Sequence, residues 1–173
     1  MSLRVVSGWT ELWEALAASP VSVSLREATW AYPALETIHL IGIAILVGPI
    51  MIFDMRILGL RGHLPVAATH ELLLPWVWIG FGLNAVSGLL LFASDAAEFA
   101  ANPAFAAKMA LIALAGLNAV FFQWRYRELV AAAALRGSLA EPAVPAGAKG
   151  QAAISILIWL CVVAAGRLIA YTG

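Results

Sequence analysis

The sequence predicts an all-α integral membrane protein, a bundle of four spanning helices with short interfacial helices at its N-terminus. Two observations carry this. Hydrophobic residues fill 63% of the 173 positions and charged residues only 12%, about half the charged share of an ordinary soluble domain. The apolar residues also gather into four runs, each near the roughly 20 residues needed to cross a bilayer. A single membrane domain then accounts for residues 1–173. The formal net charge is zero, which gives no electrostatic footprint for nucleic acid. The expected surroundings are a lipid bilayer, with a redox partner, a larger membrane complex or further copies of the chain as possible company.

Residues 1–31 are not expected to span. "WTELWEALAA" places Trp9, Leu12, Trp13 and Leu16 on one helical face, with Glu11 and Glu14 directed elsewhere. Tryptophan favours the headgroup layer, so this stretch predicts a short helix lying on the membrane surface. "SLRE", Ser24 to Glu27, has the spacing of a capping box for a second short helix ahead of Pro33. The two would either cover the ends of the spans or serve only as an anchor. The opening "MSLRVVSGWTELWEALAASP" lacks the continuous apolar core of a cleavable signal peptide, which leaves targeting to the first span.

The four spans are expected at about Ala34–Leu60, Leu72–Ser94, Pro103–Arg125 and Gln151–Tyr171. Asn102 suits the N-cap of the third and Pro103 its first turn. "RGSLAEPAVPAGAKG", between the third and fourth, is rich in Pro, Gly and Ala and reads as an exposed loop. Cys161, the one cysteine, reads as a small buried hydrophobe. No internal repeat suggests a transporter built from duplicated halves.

Basic residues set the expected orientation. Arg56, Arg61, Arg125, Arg127, Arg136 and Lys149 fall on the side joining spans one to two and three to four. The opposite side has Arg4, Arg26, Lys108 and Arg167, the last two within apolar runs, and also carries Glu11, Glu14, Glu27, Glu36, Asp95 and Glu98. The positive-inside rule then places both termini in the periplasm of a bacterial inner membrane.

With that topology, three polar residues fall at one depth. His39 lies about five residues into the first span, Lys108 about five into the third, and Arg167 about four from the end of the fourth. At the helical rise, each is roughly 6–8 Å below the periplasmic boundary. Glu36 is one turn shallower, and Gly42 one turn deeper on the His39 face. Lys108 and Arg167 have stems long enough to snorkel to the headgroups, whereas His39 does not, and an ionisable group inside a span marks a functional site by default. Together the three suit an anionic, metal-containing ligand such as haem b, with His39 on the iron and basic groups on the propionates. Gly42 would let a macrocycle approach the backbone, although glycine equally serves helix contacts.

Asn84 and Asn118 sit near the middle of spans two and three, and Gly80, Asn84 and Gly88 form a small-residue stripe suited to close packing. The asparagines read mainly as interhelical hydrogen-bond partners, with a place beside a ligand or proton path as the alternative. Asp54, Arg56, Arg61, His63, His70, Glu71, Arg125 and Arg127 read as a solvated, ion-paired cytoplasmic boundary. A metal between His63 and His70 would require the intervening loop to fold back.

"AYPALETIHLIGIAILVG" and "NPAFAAKMALIALAGLNAV" resemble the first and a later helix of the bacterial membrane protoporphyrinogen oxidase family, related to copper-resistance D-like four-helix proteins, or a neighbouring family of small bacterial membrane proteins. The resemblance runs over the four spans in order. It implies His39 as the haem ligand and Lys108 and Arg167 as site residues, while Arg56 sits where that family has an arginine. The family tends to carry histidine near the position of Asn118, and "PIMIFDMRILGLRG" departs from its first-helix ending.

The expected function is therefore a b-type haem protein in electron transfer or in oxidation of a small hydrophobic donor. Glu36 and Asn118 join His39, Lys108, Arg167 and Gly42 as residues around the cofactor. The alternative is a structural or accessory subunit of a larger membrane complex. Copper transport is the weakest reading, since Met51 and Met55, one turn apart, have no histidine close in sequence.

Overall fold

The computed structural model describes residues 11–60, 62, 64–130 and 143–172. Residues 11–17 are helical, followed by α1 (Pro20–Glu27), α2 (Ala31–Leu58), α3 (Val66–Ser94), α4 (Ala96–Ala101), α5 (Pro103–Arg125) and α6 (Ala146–Thr172). No strand occurs among the described residues. The long helices α2, α3, α5 and α6 are each long and apolar enough to cross a membrane. The chain is an all-α four-helix membrane bundle.

The helix bounds follow local chemistry. α2 starts three residues before the expected Ala34, because Pro33 is tolerated within a first turn. It ends at Leu58, where Gly59 takes φ 111° and its N–H returns to the Arg56 carbonyl, a left-handed C-cap that glycine adopts without strain. α3 starts at Val66, directly after extended Pro65, six residues before the expected Leu72. α5 has the expected bounds, with the Asn102 carboxamide oxygen accepting from the N–H groups of Ala104 and Phe105. α6 starts at Ala146, so the "AGAKG" end of the expected loop is helical. Packing explains this, because Ala148 and Ala152 are buried with Ile57, Val66 and Phe122. The capping residue of α1 is Ser19 instead of Ser24. Ser19 accepts from the Ser22 N–H ahead of Pro20 at the first helical position, and Ser24 lies inside the helix, donating to the Pro20 carbonyl. Trp9, Arg61, His63 and most of the loop before α6 lie outside the described residues.

α2 packs along α3, α5 packs along α6, and α2 joins the two hairpins through α6. Among the described residues, α3 and α5 do not pack along their lengths. They meet at their ends. At the end that holds residues 11–17 and the end of α6, called the terminal end, Phe92 of α3 stacks on Phe105 of α5 at 5.3 Å, with Trp13 and Phe99 against the same ring. At the opposite, loop end, His70 of α3 is hydrogen-bonded to Gln123 of α5 at 2.7 Å.

Side-chain hydrogen bonds fasten the terminal end. The Arg26 guanidinium donates to the last carbonyl of α3, Ser94, at 2.9 Å and to Ala17 at 2.6 Å. Cationic donors suit a helix C-terminus, whose final carbonyls lack partners. Asn102 donates to the Ile169 carbonyl and accepts from Thr172, tying the start of α5 to the end of α6. Cys161 is exposed on α6 and not buried as its apolar context suggested. In a bilayer an apolar side chain is as well accommodated facing lipid as facing protein.

Candidate functional site

The α2–α3 seam sets the depth of the site. A Cβ at Gly80 would stand 2.4 Å from the backbone nitrogen of Leu46, so the two backbones touch there. Four residues on along α3, Asn84 faces Gly42, where a Cβ would meet the carboxamide at 2.8 Å. Next along α3, Ser87 and Gly88 face His39, and a Cβ at Gly88 would stand 3.1 Å from the imidazole Cε1. The small-residue stripe is thus the contact surface for α2, running antiparallel past Leu46, Gly42 and His39. Asn84 donates within its own helix, to the Gly80 carbonyl, while lying against α2.

His39 is half-buried, and its Nδ1 lies 2.9 Å from the Ser87 hydroxyl. That hydroxyl also donates to the Leu83 carbonyl at 2.6 Å. A hydroxyl has one proton; with it committed to Leu83, Ser87 accepts from His39. In that arrangement Nδ1 carries the ring proton and Nε2 keeps its lone pair. This is how a histidine is oriented when it serves as a ligand or a proton acceptor, with one nitrogen held by a neighbour and the other left open.

Lys108 is the cation within electrostatic range of this ring. Its stem lies along α6 at Gly166, with Nζ 3.5 Å from where a Cβ would be. A Cβ at Gly166 would stand in ordinary van der Waals contact with this stem. Arg167, the next residue, turns outward: its guanidinium donates to the Tyr171 hydroxyl at 3.1 Å and lies over that ring. Glu36 is exposed one turn from His39. Asn118 is farther along α5, and its backbone carbonyl accepts from Gln151 of α6 at 2.8 Å. Of the residues expected in one layer, His39 and Gly42 lie on the α2–α3 seam with Ser87, and Lys108 of α5 is within electrostatic range of His39. Arg167, Glu36 and Asn118 have other partners or face outward.

The loop-end half holds a second polar feature. Asp54 and Arg56, expected at a solvated boundary, are buried at 6% and 5% exposure. The Arg56 guanidinium donates to the carbonyls of Leu64 and Gly62, folding the α2–α3 turn over itself. The Asp54 carboxyl lies close to the Ser155 side chain of α6, and its Oδ2 is buried with no hydrogen-bond partner. In sequence, Arg56 two residues away disguises Asp54 as half of a surface ion pair. Only the seating of α6 reveals its burial.

No group of three or more metal-ligating His, Cys, Asp or Glu side chains occurs among the described residues. No curated protein and no solved structure matches the chain. A family model matches residues 28–172, spanning all four long helices and the His39 seam, and the chain accordingly belongs to a family of unknown function, DUF6644.

Proposed function

We propose that this chain binds haem b in the membrane through His39 and takes part in electron transfer or in oxidation of a small hydrophobic donor. The single observation that carries the reading is the Leu83–Ser87–His39 chain, which leaves Nε2 as a bare lone pair inside a spanning helix. The residues present fit the group: a neutral imidazole for the iron, glycine opposite it on α3, and Lys108 as the nearby cation. Bound haem would supply one-electron chemistry. His39 would hold the iron, Ser87 would fix the ring orientation, and Lys108 would either meet a propionate or supply a second ligand as a neutral amine. The resemblance to the membrane protoporphyrinogen oxidase family supports the same choice of His39. The basic residues on the loop end support a bacterial inner membrane with both termini in the periplasm.

The test is a visible-range absorption spectrum of protein purified after expression with haem supplied. A Soret band with split visible bands is expected, and His39→Ala should abolish it. A colourless protein would sink the reading and leave an accessory subunit of a membrane complex in its place. A spectrum unchanged in His39→Ala would remove the ligand assignment alone.

A further inference from the structure

We propose that Asp54 is a membrane-buried proton-binding site that exchanges protons with the loop-end face of the bundle, independently of any haem at His39. Asp54 lies one turn from the end of α2 and is 6% exposed. One carboxylate oxygen is sealed from water without a hydrogen-bond partner. No ion pair joins Asp54 to a cation among the described residues. The charged and titratable groups on the helices around it are engaged or face outward. Arg56 is bonded to the Leu64 and Gly62 carbonyls and His70 to Gln123. Arg125 lies over the Tyr126 ring, and Lys149 is exposed.

An isolated carboxylate in such surroundings carries a solvation cost of several kcal/mol or more, which a proton removes. Ser155 suits both states, because a hydroxyl donates to the carboxylate and accepts from the carboxylic acid. Donor number decides against a metal ion. One carboxyl and one hydroxyl fall far short of the 6–8 oxygens that calcium takes or the octahedral shell of magnesium. The exchange route is short. Asp54 is one turn, about 5 Å of helix rise, from the end of α2, and Gln151, buried one turn before Ser155 on α6, lines the same stretch.

The experiment uses the full chain in liposomes, treated with the hydrophobic reagent dicyclohexylcarbodiimide, which adds to undissociated carboxyl groups in apolar surroundings. Adducts are mapped by mass spectrometry in the wild-type protein, so no variant needs to fold. Asp54 is expected to be modified at neutral pH in preference to the exposed Glu36, Glu71 and Glu98. Labelling should fall about tenfold per pH unit once the carboxyl ionises. A water-soluble carbodiimide should reverse the preference. In the infrared spectrum of unlabelled protein, a carboxylic acid carbonyl band should be present at neutral pH and disappear in Asp54→Asn. Asp54 left unmodified, or modified no more than the exposed glutamates, would overturn the proposal, as would a carboxylic acid band that Asp54→Asn leaves in place.

Discussion

The two halves of the bundle bury an ionisable side chain in opposite ways. In the terminal half, His39 is half-buried, and a second helix supplies a hydroxyl that tethers its Nδ1. In the loop half, Asp54 is sealed against α6 with one oxygen unpartnered. The first arrangement holds a group ready to donate a lone pair outward. The second holds a group whose comfort depends on whether it carries a proton. The difference teaches that burial alone does not define a site in a membrane bundle: what matters is which valence the neighbours leave open.

The largest effect should come from wedging the α2–α3 seam at Gly80, which meets α2 between His39 and Asp54. Gly80→Ala places a methyl 2.4 Å from the Leu46 backbone, and no rotamer change relieves a backbone clash. The cost should be about 3 kcal/mol, exceeding the roughly 1 kcal/mol that alanine gains over glycine in a helix. Gly82→Ala, which meets nothing within 4 Å, should show only the gain. Thermal unfolding in detergent of the two variants compares these terms directly, and equal melting temperatures would dismiss the tight seam.

Ser87→Ala should come next. It removes the acceptor for His39 Nδ1–H and leaves a donor unsatisfied, at about 1–3 kcal/mol. It should also broaden the imidazole signals in NMR spectra as the ring loses its tether. A sharp, unchanged spectrum would separate Ser87 from His39.

The smallest effect is expected in the other half. Asp54→Asn keeps shape and neutrality, so stability should move by no more than about 1 kcal/mol. Removing one member of a buried ion pair would instead cost about 3–5 kcal/mol. A loss of that size on chemical unfolding would mean that Asp54 is ionised and paired, erasing the contrast between the halves.

Much of the fold was legible in the sequence because a bilayer imposes length: the four apolar runs became the four long helices. The ends were less legible because they are decided by single residues. Pro65 starts α3 early, and burial of Ala148 and Ala152 extends α6 into a stretch of glycine and alanine that reads as a loop. His39 stood out as a polar misfit, and Lys108 shared its depth. Ser87 did not stand out, since a serine in a spanning helix ordinarily bonds its own preceding turn; only the α2–α3 register brings it to His39. Arg167 looked equivalent to Lys108 by depth, but Tyr171 one turn on gives it an outward partner. Asp54 was hidden by its neighbour Arg56, because a sequence does not say that two charges so close together will both be buried.

The Gly80, Asn84 and Ser87–Gly88 contacts work as a notched key. Each notch on α3 accepts one residue of α2, and the notches are not interchangeable. Sliding α2 by a single turn would drive the Leu46 backbone toward the Asn84 carboxamide and carry His39 past the only hydroxyl that holds its ring. The helix pair can tilt or rotate as one piece, but its members cannot shear. The junction of the two hairpins, where α2 meets α6, has no such notches among the described residues and is where they would move relative to one another.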